Sequence, residues 1–116
     1  MLTISQAQME QIEQARRAEF FRELRSDVAQ FMLRVAPEVG VAEVGARIDG
    51  AFSQADRLGM RSELQIVRYA YVVAAFPADF ATLPEYAWLT ALLESPASAD
   101  SRLDSISAAI MNGQSL

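Results

Sequence analysis

Two carboxylates, Asp79 and Glu85, flank the aromatic-rich stretch "FPADFATLPEYAW", and a pair of acids beside a cleft is the smallest equipment for general acid and base work. The rest of the sequence supplies no companions for them. There is no histidine, no cysteine and no lysine, and all ten basic residues are arginine. Those absences remove the commonest metal ligand and general base, thiolate nucleophiles and thiolate zinc sites, Schiff-base amines and the phosphate-gripping lysine of a P-loop. Hydrolase triads built on histidine go with them. Working carboxylates are normally embedded in a richer polar set, so Asp79 reads as the anchor of a loop through backbone hydrogen bonds. The expectation is a protein that is not an enzyme, with no catalytic residue, no metal and no cofactor.

Arg16, Arg17, Arg22 and Arg25 lie near aromatic side chains, the ingredients of a groove for single-stranded nucleic acid. Glu10, Glu13, Glu19, Glu23 and Asp27 interleave with them and cancel the field, leaving a solvated, ion-paired face. The net charge is −5, divided as −2 over residues 1–58 and −3 over residues 59–116. Neither half is a basic patch, and a phosphate backbone is repelled, so no nucleic-acid partner is expected.

The third group is aromatic. Tyr69, Tyr71, Phe76, Phe80, Tyr86 and Trp88 fall within twenty residues of one another. Core packing is the commonest use of such rings, while aromatics with arginine also dominate binding hot spots. A protein-binding role therefore rests on whichever of them stay outside the core.

Helices must position these groups. A chain of 116 residues is sized for a single domain over residues 1–116, and its 52% apolar content lies slightly above the globular average. Ser5 and Gln8 have capping-box spacing, with Ile4 placed to staple onto Met9 or its neighbour, which starts a helix near Gln6. Neither Pro nor Gly interrupts before Pro37, and Met9, Ile12, Phe20, Leu24, Val28, Phe31 and Val35 form a helical stripe. Glu13 with Arg17 and Glu19 with Arg22 add ion pairs on its wet face. At about 30 residues this first helix either extends beyond the bundle or bends near Ser26 and Asp27.

A second helix carries Val41, Val44, Ile48, Phe52 and Ala55, with Gly45 and Gly50 tolerable where another helix packs close. Gly59 stands where a left-handed C-cap belongs. Ser62 and Gln65 repeat the capping box, so a third helix begins at Glu63 and runs to about Phe76, ahead of Pro77. Its charge-free run from Tyr69 to Phe76 is too short to span a bilayer, and its apolar circumference makes it the central helix. Pro84 opens a fourth helix with Tyr86, Trp88, Leu89, Leu92 and Leu93. A fifth starts near Ser98 or Ala99 and carries Leu103, Ile106, Ala109 and Ile110 until Asn112 and Gly113 stop it. The fold class is all-α: a compact bundle of about five helices with a long first helix. The amino-terminal residues show no basic segment ahead of an apolar core, so the expected location is cytoplasmic, without membrane insertion.

The segment "RLGMRSELQIVRYAYVVAAFPADFATLPEYAWL" resembles a pattern of small all-helical accessory proteins of co-chaperone type, encoded beside spike, effector and adaptor-chaperone genes in bacterial type VI secretion clusters. The elements shared are Gly59-Met60, Ser62-Glu63, Arg68-Tyr69, Asp79-Phe80 and Trp88, with Arg102-Leu103 in the tail. The opening "LTISQAQMEQIEQARRAEF" is similar to the start of that family. The chain departs from it in having Pro77-Ala78 where a Gly often precedes Asp-Phe, and Ala87 where a Pro usually precedes Trp. The resemblance implies a non-enzymatic interaction module that binds an adaptor chaperone or a toxin effector and assists loading onto the spike. Contact residues are expected among Tyr69, Tyr71, Phe76, Phe80 and Trp88, with Arg68 and Asp79 as polar orienters. The alternative is an immunity protein that neutralises a cognate toxin, its acidic surface imitating a substrate. Pairing of the long first helix with a second copy, a homodimer, stays open.

Overall fold

The computed structural model describes residues 5–113. Five helices follow one another: α1 (Gln6–Val35), α2 (Val41–Arg57), α3 (Glu63–Ala74), α4 (Ala87–Leu93) and α5 (Ala99–Met111). Two single 3-10 turns, Phe80–Thr82 and Pro84–Tyr86, join α3 to α4, and there is no strand among the described residues. Ser5 closes the amino end of α1 reciprocally: its Oγ accepts from the Gln8 N–H at 3.2 Å, and Gln8 Oε1 accepts from the Ser5 N–H at 2.8 Å. Ile4 and its staple lie outside the described residues.

The same box starts α3, where Ser62 Oγ accepts from the Gln65 N–H at 3.1 Å and Gln65 Oε1 takes both the Ser62 and Arg61 N–H groups. Gly59, at φ +79°, reverses the chain after α2 and lets the Met60 N–H reach the Ala55 carbonyl at 2.9 Å. Met60 is thereby turned into the core.

One contiguous core holds the bundle together, with Leu24, Val28 and Met32 from α1, Val44, Ile48, Ala51 and Ala55 from α2, and Ile66, Tyr69, Ala70 and Ala74 from α3. Leu89 and Leu93 of α4 and Leu103 and Ile106 of α5 complete it. α3 packs against α1, α2 and α5, so it is the central helix. Its apolar circumference is not wholly covered, because Leu64 remains 68% exposed at the first turn. α3 also stops at Ala74, two residues short of the sequence expectation. Phe76 precedes Pro77, whose ring disfavours helical geometry one residue back, and the Ala75 N–H is already shared among the Tyr71, Val72 and Val73 carbonyls.

α1 extends beyond the bundle. Every residue from Gln6 to Glu19 is exposed, and the first buried one is Leu24. That arm lengthens the molecule to extents of 60 × 34 × 22 Å. Along it Glu13 pairs with Arg16 at 3.5 Å rather than with Arg17, whose guanidinium sits 5.1 Å from the Phe21 ring centroid. Arg22 pairs with Glu19 as expected, and Arg25 reaches across to Asp49 of α2. No helix among the described residues is long and apolar enough to cross a membrane.

Candidate functional site

The carboxyl end of α3 is where aromatic residues, an open groove and unpartnered polar atoms meet. Phe76, only 2% exposed, forms the hub. Phe80, Tyr86 and Trp88 stand around it with ring centroids at 6.4, 5.4 and 5.9 Å, the last two edge to face. The two 3-10 turns hold these rings at fixed angles: the Asp79 carbonyl accepts from the Thr82 N–H and hydroxyl, both at 2.9 Å, and the Leu83 carbonyl accepts from the Tyr86 N–H at 3.1 Å. The three outer rings are half-buried and pack against the core.

Beside this turn runs a groove of about 490 Å³ between α2 and α4, two helices that do not pack on each other. Tyr69 and Val73 of α3 form its floor, Phe80 closes one side, and Ala46, Gly50 and Gln54 line the α2 wall. A Cβ built on Gly50 would meet nothing within 4 Å, so the helix carries a glycine where the chain's own packing requires none. Gly45 differs, since its Cβ would lie 3.3 Å from Arg25 Nη2.

Arg47 guards the groove from α2. Its Nη2 donates to the carbonyls of Val73, at 3.4 Å, and Phe76, capping an α3 terminus that has no basic residue in its own last turn. No carboxylate pairs with Arg47 among the described residues, and its Nε is buried without a partner. The Thr90 hydroxyl on the opposite wall is buried without one too. Burial pushes the Tyr69 phenol up to about 12, against a smaller downward pull from the Arg57 guanidinium. Arg57 itself faces Glu94 at 3.7 Å across the groove mouth.

The residues singled out from the sequence divide into three kinds of environment. Tyr69 and Phe76 are core residues. Arg68 is committed within the chain, donating to Asp104 Oδ1 at 2.9 Å and Ser107 Oγ at 3.4 Å, and so ties α3 to α5. Tyr71 lies on another face, edge to face with Phe31 at 5.2 Å. Phe80, Trp88 and the exposed Asp79 share the aromatic turn. The Asp79 side chain makes no capping bond, so its backbone carbonyl, not its carboxylate, anchors the loop. Glu85 is exposed in the second 3-10 turn. Among the described residues no group of three or more acidic side chains gathers so as to hold a metal ion.

Arg47 and Thr90 escaped the sequence reading because their importance depends on contacts across the fold, while Gly50, expected where another helix packs close, faces open space instead. The one available signal was Gly50, a helix-weakening residue with no turn to justify it. Comparison of the chain with protein-family models, with curated proteins and with solved structures returns no match.

Proposed function

We propose that this chain is a non-enzymatic protein-interaction module acting in the cytoplasm, similar in role to a type VI secretion co-chaperone that binds an adaptor chaperone or toxin effector during loading onto the spike. The observation that carries this reading is the aromatic turn, where Phe80, Tyr86 and Trp88 are each held against buried Phe76 while remaining only partly buried. Rings fixed before contact lose little conformational freedom on binding, and large aromatics are the side chains that most often dominate an interface. Asp79, exposed on the same turn, supplies a charge at its rim. Tyr69, Phe76 and Arg68 act behind this surface by holding α3 in place.

The test is expression of the tagged chain in its native host and identification of the proteins that co-purify, with an adaptor chaperone or toxin effector as the expected partner. Phe80→Ala and Trp88→Ala are expected to lower partner recovery at least tenfold while the helical circular-dichroism signal is retained. Recovery equal to that of the unmodified chain would remove the aromatic turn as the contact. The net charge of −5 gives the immunity reading its support, through imitation of a toxin's anionic substrate. Gene deletion separates the two: loss of toxin export marks a loading factor, whereas killing by sibling cells marks an immunity protein.

A further inference from the structure

The net charge of −5 is not spread over the chain. Residues 69–101 hold four carboxylates, Asp79, Glu85, Glu94 and Asp100, and no basic residue, whereas the remainder holds eleven acids against all ten arginines. Four of the five net charges therefore lie in the segment that contains the aromatic turn. Two of those carboxylates are engaged within the fold: Glu94 faces Arg57 at 3.7 Å, and Asp100 accepts from Gln65 Nε2 at 3.1 Å. Asp79 and Glu85 are exposed and have no ion-pair partner among the described residues. Each stands one residue before a ring of the turn, Asp79 before Phe80 and Glu85 before Tyr86, so the two 3-10 turns set each free charge next in sequence to a partly exposed ring. Arg47, which reaches this end of α3, is tied to the carbonyls of Val73 and Phe76 rather than to either carboxylate.

We infer that the aromatic turn receives a basic segment of its protein partner, one rich in arginine. The inference deepens the interaction reading and rests on it, since the turn must first be a contact surface. Charge complementarity selects the occupant. A guanidinium both pairs with a carboxylate and stacks on an aromatic ring, so one residue type answers both features of the turn. A wholly apolar partner would cover Asp79 and Glu85 without counter-charges, at a cost the rings would have to offset. An acidic segment or a nucleic acid would be repelled by the same charges. Exposed ion pairs are weak singly, so the rings supply most of the affinity, while the carboxylates supply orientation and attraction at a distance.

The probe is a blocked peptide of alternating leucine and arginine, compared with the same peptide carrying neutral citrulline or glutamate in place of arginine. Each is titrated into the full chain while the fluorescence of Trp88, the one tryptophan of the sequence, reports from the turn itself. The arginine peptide is expected to give a saturable change, the citrulline peptide to bind about tenfold more weakly, and the glutamate peptide not to bind. The arginine peptide should also weaken steeply as salt is raised. Asp79→Asn combined with Glu85→Gln is expected to weaken the arginine peptide about tenfold with the melting temperature unchanged, because both side chains are exposed. Glu10→Gln combined with Glu38→Gln removes the same amount of charge from exposed positions elsewhere and is expected to leave binding unaltered. Equal weakening by the two double variants would overturn the inference, by assigning the attraction to net charge alone. Equal binding of the arginine and citrulline peptides at Trp88 would overturn it too, while leaving the turn as a contact surface. Absence of saturable binding by the arginine peptide would likewise overturn it, and the interaction reading would then stand or fall on partner recovery by Phe80→Ala and Trp88→Ala.

Discussion

Arg102 shows how a single side chain can close several elements at once. It is 9% exposed and donates from Nε to the Ala97 carbonyl at 3.0 Å, from Nη1 to Leu93 at 2.6 Å and from Nη2 to Leu58 at 2.6 Å. Leu58 and Leu93 lie at the carboxyl ends of α2 and α4, so the guanidinium meets the negative ends of two helix dipoles and satisfies carbonyls the helices cannot. Arg102→Met keeps the stem but strands these carbonyls, and urea denaturation should register a loss of about 3 kcal/mol or more. A loss under about 0.5 kcal/mol, the level of an ordinary surface substitution, would mean that water replaces the guanidinium without cost. Tyr69 offers a test by pH. An unfolded tyrosine releases its proton near pH 10, while burial holds the folded phenol to about 12. Between these values the unfolded chain has lost a proton that the folded chain keeps, so stability is full below about pH 10 and falls as the pH rises through about 12. The loss is on the order of 2 to 3 kcal/mol, and Tyr69→Phe should abolish it in denaturation curves taken across that alkaline range. An identical alkaline fall in Tyr69→Phe would assign the effect to another group.

At the scale of helices, local signals and distant ones contribute separately. The Ser62 box is self-contained, so Ser62→Ala should cost about 1 kcal/mol in urea denaturation, whereas Gly50→Ala should add up to about 1 kcal/mol because its Cβ enters open space. A destabilised Gly50→Ala would show that the opening is closed in solution. These same features explain what was legible in the sequence. Ser5, Ser62, Ser98 and Gly59 act on residues within a few positions, and each stands where its spacing predicts. The end of α3 was misplaced by two residues, although Pro77 marked it, because proline acts on the residue before itself as well. The fourth helix starts at Pro84 as a 3-10 turn and becomes α-helical only at Ala87. The arginine caps were illegible. Arg47 serves carbonyls of Val73 and Phe76, 26 and 29 residues away, and Arg102 of α5 reaches Leu58, 44 residues away, relations that only the folded packing of the helices creates. For the candidate site, the aromatic cluster was visible as a composition, but which ring is hub and which is rim depends on how Phe76 enters the core.

The whole molecule joins a packed bundle to a bare helix. α3 is enclosed by α1, α2 and α5, while residues Gln6 to Glu19 of α1 bury nothing and depend on their own hydrogen bonds and a few surface ion pairs. An isolated helix of about 12 to 15 residues is marginal in water, so this arm should open locally without unfolding the bundle. Amide hydrogen exchange reads the difference directly. Protection is expected to be weak from Glu10 to Glu19, to rise where Phe20 and Phe21 reach the body and Phe21 meets Phe52 at 5.0 Å, and to approach the global limit from Leu24 through Met32 and across α3. Met9 and Ile12, 48% and 47% exposed, make the arm's behaviour sensitive to a second copy. If two chains pair through it, protection of Glu10 to Glu19 will rise with protein concentration while that of α3 stays fixed, since only the arm gains a neighbour. Protection that is weak at every concentration would instead identify the arm as a free extension of a monomer. Uniform, concentration-independent protection along all of α1 would refute the division into bundle and arm, because helix propensity and surface ion pairs alone cannot supply it.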